Sequence, residues 1–166
     1  MAKLDLEFIG LNNLVGNILI NGKFPKFKKT ENKTLSCQIE TTANECEVII
    51  YKAHHYTGKA WLFWNLFYFI ISIFGIFDER QNKKCLVIDA KFTITTTQDT
   101  QVVISKQDFV DGGKLVSIDT ASQTNEISNI QYYDKEARKK HSKMKKFKIL
   151  TTILIVILLV VLIIVL

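Results

Sequence analysis

At 166 residues, 48% hydrophobic and with a formal net charge of +6, the chain has room for one folded domain plus appendages. The charge is local: between Lys135 and Lys148 eight Lys or Arg stand against Glu136 alone, a net +7, so the rest of the chain is close to neutral. No RNA-binding signature with interleaved aromatics accompanies that charge, which argues against nucleic acid as a partner and for a lipid bilayer.

The first stretch, "MAKLDLEFIG", lacks the apolar core of a secretory signal. Within it Leu4, Leu6 and Phe8 alternate with Lys3, Asp5 and Glu7, the period of a half-buried strand. "VGNILI" is a β-branched run that Asn21-Gly22 closes with a two-residue hairpin turn. Pro25 in "KFPKFKK" demotes that run to an edge strand or a loop. "LSCQIE" alternates again, and "CEVIIYK" is of strand length. Cys37, Cys46 and Cys85 are odd in number and show no paired spacing. They read as buried or free thiols in a reducing compartment, so the Asn32-Lys33-Thr34 glycosylation triplet carries little meaning.

Residues 61–77 interrupt this β pattern. The block has no charge and eight aromatics: Trp61, Phe63, Trp64, Phe67, Tyr68, Phe69, Phe74 and Phe77. Seventeen residues make about 25 Å of helix, short for a perpendicular span, and Trp and Tyr favour the headgroup boundary. Three placements compete: a full span, a dip into the membrane face, and a buried core helix. A dip lets the strands before and after the block share one sheet, so these eight aromatics are read as membrane contacts. Asn65, Tyr68, Ser72 and Gly75 also fall within about an 80° arc of a helix. Such a small-polar stripe suits contact with another helix, either 149–166 through Thr151 and Thr152 or a second copy.

Beyond the block, Ile88, Ala90, Phe92 and Ile94 alternate with polar neighbours, and "QVVIS" and "KLVSID" are further strands. Gln98-Asp99 and Asp111-Gly112-Gly113 punctuate them. "TNEISNIQYY" is either a last strand or a helix start, and from Asp134 good helix formers run on toward the C-terminal block. That block, "ILTTILIVILLVVLIIVL", is 18 residues without a charge, Gly or Pro, about 27 Å as a helix. Its preceding basic run sets that side as cytoplasmic, and ending at Leu166 is the organisation of a tail-anchored protein. The run is first a positive-inside flank. Lys139, Lys140, Lys143, Lys145 and Lys146 are also candidate headgroup contacts, as are Lys26, Lys28 and Lys29 beside Phe24 and Phe27.

The fold class that follows is mainly β, an antiparallel β-sandwich or small barrel, with a hydrophobic helical insertion at about 61–77 and a C-terminal transmembrane helix. Its divisions are a β-sandwich domain at 1–131, a basic juxtamembrane helix at 132–148 and the anchor at 149–166. His54-His55 with Cys46 and Cys85 lacks metal-ligand spacing, and no nucleophile elbow or phosphate loop occurs, so neither cofactor nor metal is expected. The leading expectation is a non-enzymatic interaction or recruitment module at the cytoplasmic membrane face, binding another protein or copies of itself. The alternative is an oligomeric membrane-remodelling or pore-forming effector that inserts 61–77. A membrane-bound enzyme comes third.

Overall fold

The structure, a computed structural model, describes residues 2–29, 34–53, 59–64, 66, 67 and 85–165. It divides into a β body, Met1–Lys52 with Leu86–Tyr133, and a second unit, Ala53–Cys85 with Asp134–Leu166. In chain order the body holds β1 (Ala2–Ile9), a short 3-10 helix (Asn12–Asn17), β2 (Ile18–Ile20), β3 (Lys28–Lys29), β4 (Thr34–Thr41) and β5 (Glu45–Lys52). After the insertion come β6 (Leu86–Thr95), β7 (Thr100–Lys106), β8 (Val116–Thr120) and β9 (Thr124–Tyr133). Helix α1 (Lys135–Val165) follows.

Two sheets form, in the orders β3-β4-β1-β7-β8 and β2-β5-β6-β9. The alternating strands point their apolar faces into one core between them. Leu4, Leu6, Phe8, Leu35, Val102 and Ile104 from the first sheet join Val48, Ile50, Ile88, Ala90, Phe92 and Ile94 from the second. Fully burying one such large side chain contributes about 1.5–3 kcal/mol, so the core dominates the stability of the body. The mainly β architecture with a long apolar C-terminal helix therefore stands as expected, with a sandwich-like pair of sheets.

Three details go beyond the sequence reading or correct it. β1 and β7 pair in parallel, Leu4 opposite Thr100 and Ile9 opposite Ser105, while every other named pair is antiparallel. The reason is that β1 and β7 are not joined by a hairpin. β6 lies in one sheet and β7 in the other, so the Gln98-Asp99 turn carries the chain across the core. In "VGNILI" only Ile18–Ile20 is strand, and the residues before it close the 3-10 helix. "TNEISNIQYY" is a strand, β9, paired along β6.

The Asn21-Gly22 turn is present, with φ of 49° and 72°, the double positive φ of a type I′ hairpin. Pro25 lies in the loop before β3, which is a two-residue edge strand. β9 turns amides inward where other strands turn apolar groups. The Asn129 Oδ1 accepts the N–H groups of Leu115 and Val116 at 3.0 Å each, and its Nδ2 donates to the Val116 carbonyl at 2.8 Å. The buried Gln131 Nε2 donates to the carbonyls of Asp108 and Lys114, both at 2.9 Å. These bonds fasten the 107–115 loop to β9 and satisfy backbone groups that no ladder reaches.

Register fixes where the insertion joins the body. β5 and β6 pair from Glu45–Thr95 to Lys52–Ile88, and β6 pairs with β9 as far as Leu86–Tyr133. Lys52, Leu86 and Tyr133 therefore share one end of the four-stranded sheet. The insertion leaves and returns there, and α1 begins there.

Candidate membrane-facing site

Helix α1 starts on a cap that its sequence supplies. The Asp134 Oδ1 accepts the Ala137 N–H at 2.9 Å, the Asp134 carbonyl accepts the Arg138 N–H at 3.0 Å, and Glu136 sits in the first turn. No break separates the basic run from the apolar block, and both belong to one 31-residue helix. From Ile149 onward the large apolar side chains are open to the surroundings, from 42% at Ile155 to 77% at Ile164. No part of the apolar stretch is buried in protein, and the helix is long and apolar enough to cross a membrane. The Thr151 and Thr152 hydroxyls donate back to the carbonyls of Phe147 and Lys148, both at 2.9 Å, which satisfies them without solvent.

The basic half of α1 is unevenly covered. Ala137 and Met144 are buried, and Lys140, His141, Lys148 and Thr151 are half-buried, while Arg138, Lys139, Lys143, Lys145 and Lys146 are exposed. The covered positions recur every three or four residues and define one helix face. On that face Trp61 packs beside Cys85, Ala137 and Met144, and the Lys140 Nζ lies 5.6 Å from the Trp61 ring centre. Cys85 is the residue through which the insertion rejoins β6. It holds a left-handed φ of 51°, its carbonyl accepts the Asp134 N–H at 3.0 Å, and its thiol is buried. Burial pushes that thiol above its ordinary pKa, Asp134 adds to the rise, and Arg138 opposes it.

Residues 61–64, 66 and 67 are helical, with the Trp64 N–H donating to the Ala60 carbonyl at 3.2 Å. Past Trp61 the apolar side chains turn outward: Phe63, Trp64 and Phe67 are 64%, 44% and 45% exposed. Their rings pack on one another, Phe63 against Trp64 at 5.6 Å and Trp64 against Phe67 at 6.1 Å, both edge to face. Four of the eight expected membrane-contact aromatics, Trp61, Phe63, Trp64 and Phe67, are thus placed, three as an open cluster and Trp61 against α1. Tyr68, Phe69, Phe74 and Phe77 lie outside the described residues, as do His54, His55 and the whole stripe of Asn65, Tyr68, Ser72 and Gly75.

The eight lysines read as headgroup contacts fall into two sets. Lys139, Lys140, Lys143, Lys145 and Lys146 lie on α1, whereas Lys26, Lys28 and Lys29 lie on the β body, exposed, in β3 and the loop before it. The chain pattern signalled charge on α1 but not its covered face. The signal for that face was Ala137, Met144 and Thr151, seven residues apart within a run dominated by lysine.

All three thiols are free and buried. Burial raises Cys37 to about 12, with Cys46 and Asp5 adding to the rise, and raises Cys46 to about 11 against a hydrogen bond from Asn21. Burial therefore works against thiolate formation at both sites. Among the described residues no three His, Cys, Asp or Glu gather as a metal site would require. No protein-family model matches this chain, and comparison with curated proteins and with solved structures likewise finds no match.

Proposed function

We propose that this protein is a membrane-anchored, non-enzymatic interaction module whose β body is held at the cytoplasmic face by α1 and recruits a partner there. One observation carries the reading: the last third of α1 is apolar all round, and its described side chains are all exposed. In water that surface would be a severe liability, and in lipid it is the stable arrangement. The exposed lysines and arginine directly before it favour retention of that side in the cytoplasm. β5 and β6 are adjacent strands, so residues before and after the insertion belong to one body. This supports an insertion that enters and leaves the membrane surface on one side, with the Phe63, Trp64 and Phe67 cluster at the headgroup level.

Membrane fractionation tests the anchor. The full chain is expected to resist alkaline extraction and to dissolve in detergent, while a chain without residues 149–166 is expected to be released by alkaline extraction. Side-specific labelling tests the topology, using Thr57→Cys and Gln81→Cys on a background without native thiols. Both sites should react from the cytoplasmic side, and labelling from opposite sides would overturn the arrangement.

A further inference from the structure

The cations of α1 are sorted by face. Successive helical residues turn by about 100°, and on that wheel the exposed Lys135, Arg138, Lys139, Lys143, Lys145 and Lys146 fill an arc of about 160°. The arc lies opposite the covered face of Ala137 and Met144. Lys140 and Lys148 are not part of it. Both are half-buried on the covered side, and the Lys140 Nζ lies 5.6 Å from the Trp61 ring centre. Acid does not cancel the charge of the arc. Glu136 stands at its margin and Asp134 is engaged in the cap, which leaves six exposed cations against one exposed carboxylate.

α1 runs without a break from this arc into the apolar block, so position along the helix sets height above the hydrocarbon. At about 1.5 Å per residue from Ile149, Lys146, Lys145 and Lys143 stand roughly 5, 6 and 9 Å up, Arg138 and Lys139 about 15–17 Å, and Lys135 about 21 Å. The headgroup layer is about 5–8 Å deep on each side of a bilayer. The lower three ammonium groups therefore lie in that layer or reach it on their flexible stems. Cβ bonds tilt toward the helix N-terminus, here the watery side, which aims these groups at headgroups and away from hydrocarbon. The upper cations stand off by roughly 7 Å or more, a distance over which salt screens much of the attraction. A lipid phosphate is also the anion that the anchor itself holds at this height, whereas a soluble acidic partner would have to be brought there.

We infer that Lys143, Lys145 and Lys146 form a seat for anionic phospholipid headgroups, so that the chain prefers lipids of net negative charge as its neighbours. The inference rests on the anchored reading and names the lipid class for it.

The test uses the full chain in phosphatidylcholine vesicles at low salt, with a trace of phosphatidylserine or phosphatidylcholine spin-labelled on the acyl chain. Electron paramagnetic resonance reads the fraction of tracer slowed at the protein. Phosphatidylserine is expected to be held about fivefold more strongly than phosphatidylcholine, and about 1 M salt should remove the difference. Lys143→Gln, Lys145→Gln and Lys146→Gln together should bring the two lipids level. Lys135→Gln, Lys139→Gln and Lys140→Gln together remove as much charge from the same helix, yet should lower the preference by less than about twofold. None of the six side chains is buried, so both variants should keep the native circular dichroism spectrum. Equal slowing of the two tracers, a preference that survives salt, or equal losses in the two triple variants would each overturn the proposal. Flotation reads the anchor separately: a chain that does not float with the vesicles defeats the anchored reading and the proposal with it, whereas a floating chain that slows both tracers alike defeats the proposal alone.

Discussion

The apolar residues of β6 and those of the second half of α1 are alike in kind and meet opposite fates. In β6 Ile88, Ala90, Phe92 and Ile94 are 0–3% exposed, whereas in α1 Ile153, Val156 and Leu158 are 51–61% exposed. Apolar content is therefore not what buries a residue in this protein. β6 interleaves its apolar positions with Asp89, Lys91 and Thr93, so one face seeks a partner sheet and the other tolerates water. α1 has no polar face after Lys148, and this stretch is long and apolar enough to cross a membrane.

The sharpest way to break this comparison is to shorten one residue in each segment. Phe92→Ala should cost about 3–5 kcal/mol in urea denaturation of the detergent-solubilised chain, because it opens a cavity in the two-sheet core. Leu158→Ala should leave the same transition unmoved, and equal shifts would mean that α1 belongs to the folded core. A smaller loss, about 1–3 kcal/mol, is expected for Asn129→Ala, which strands the N–H groups of Leu115 and Val116. Hydrogen exchange at those two amides should rise with it, localising the effect to the 107–115 loop.

Alkaline titration sharpens the contrast from the thiol side. Cys37 and Cys46 sit at about 12 and 11 in the folded chain against 9.0 for an ordinary thiol. Below pH 9 both states hold the proton and the thiols cause no pH dependence. Between pH 9 and their folded values the unfolded chain releases its protons first, so stability falls by about 1.4 kcal/mol per pH unit for each thiol. Comparison with a Cys37→Ala, Cys46→Ala chain isolates this slope, and identical slopes would show that the thiols are open to solvent. The smallest effect is expected for Asp134→Ala. Losing the cap of α1 should cost about 1 kcal/mol and fray its first turn, visible as reduced helical circular dichroism with the β-body transition intact.

Much of the fold was legible because local chemistry decided it. The Lys3–Phe8 alternation became β1 with Leu4, Leu6 and Phe8 inside, and Asn21-Gly22 became a type I′ turn because those residues tolerate positive φ. Pro25 lies in a loop and its run supplies only the two-residue edge strand β3, as the sequence implied. What the local pattern left open shares a cause. Gln98-Asp99 reads as a turn whether the chain doubles back within a sheet or crosses to the other one, and nothing in those two residues tells the cases apart. "VGNILI" looks uniformly extended until Gly16 and Asn17 are drawn into a 3-10 helix. On α1 the lysines masked the Ala137 and Met144 face, because charge pattern reports what water accepts and not what a neighbouring segment covers.

By itself the sequence determined where most of the strands lie, which of their faces are apolar, and that the C-terminal block makes a helix long and apolar enough to cross a membrane. Each of these follows from side-chain chemistry at short range. Only the tertiary structure decided which strands are neighbours: that β1 meets β7 in parallel and that β5 and β6 close up across a 33-residue insertion. Strand pairing is made by backbone N–H and C=O groups that every residue but proline carries alike, so the choice of partner is settled by how the whole core packs.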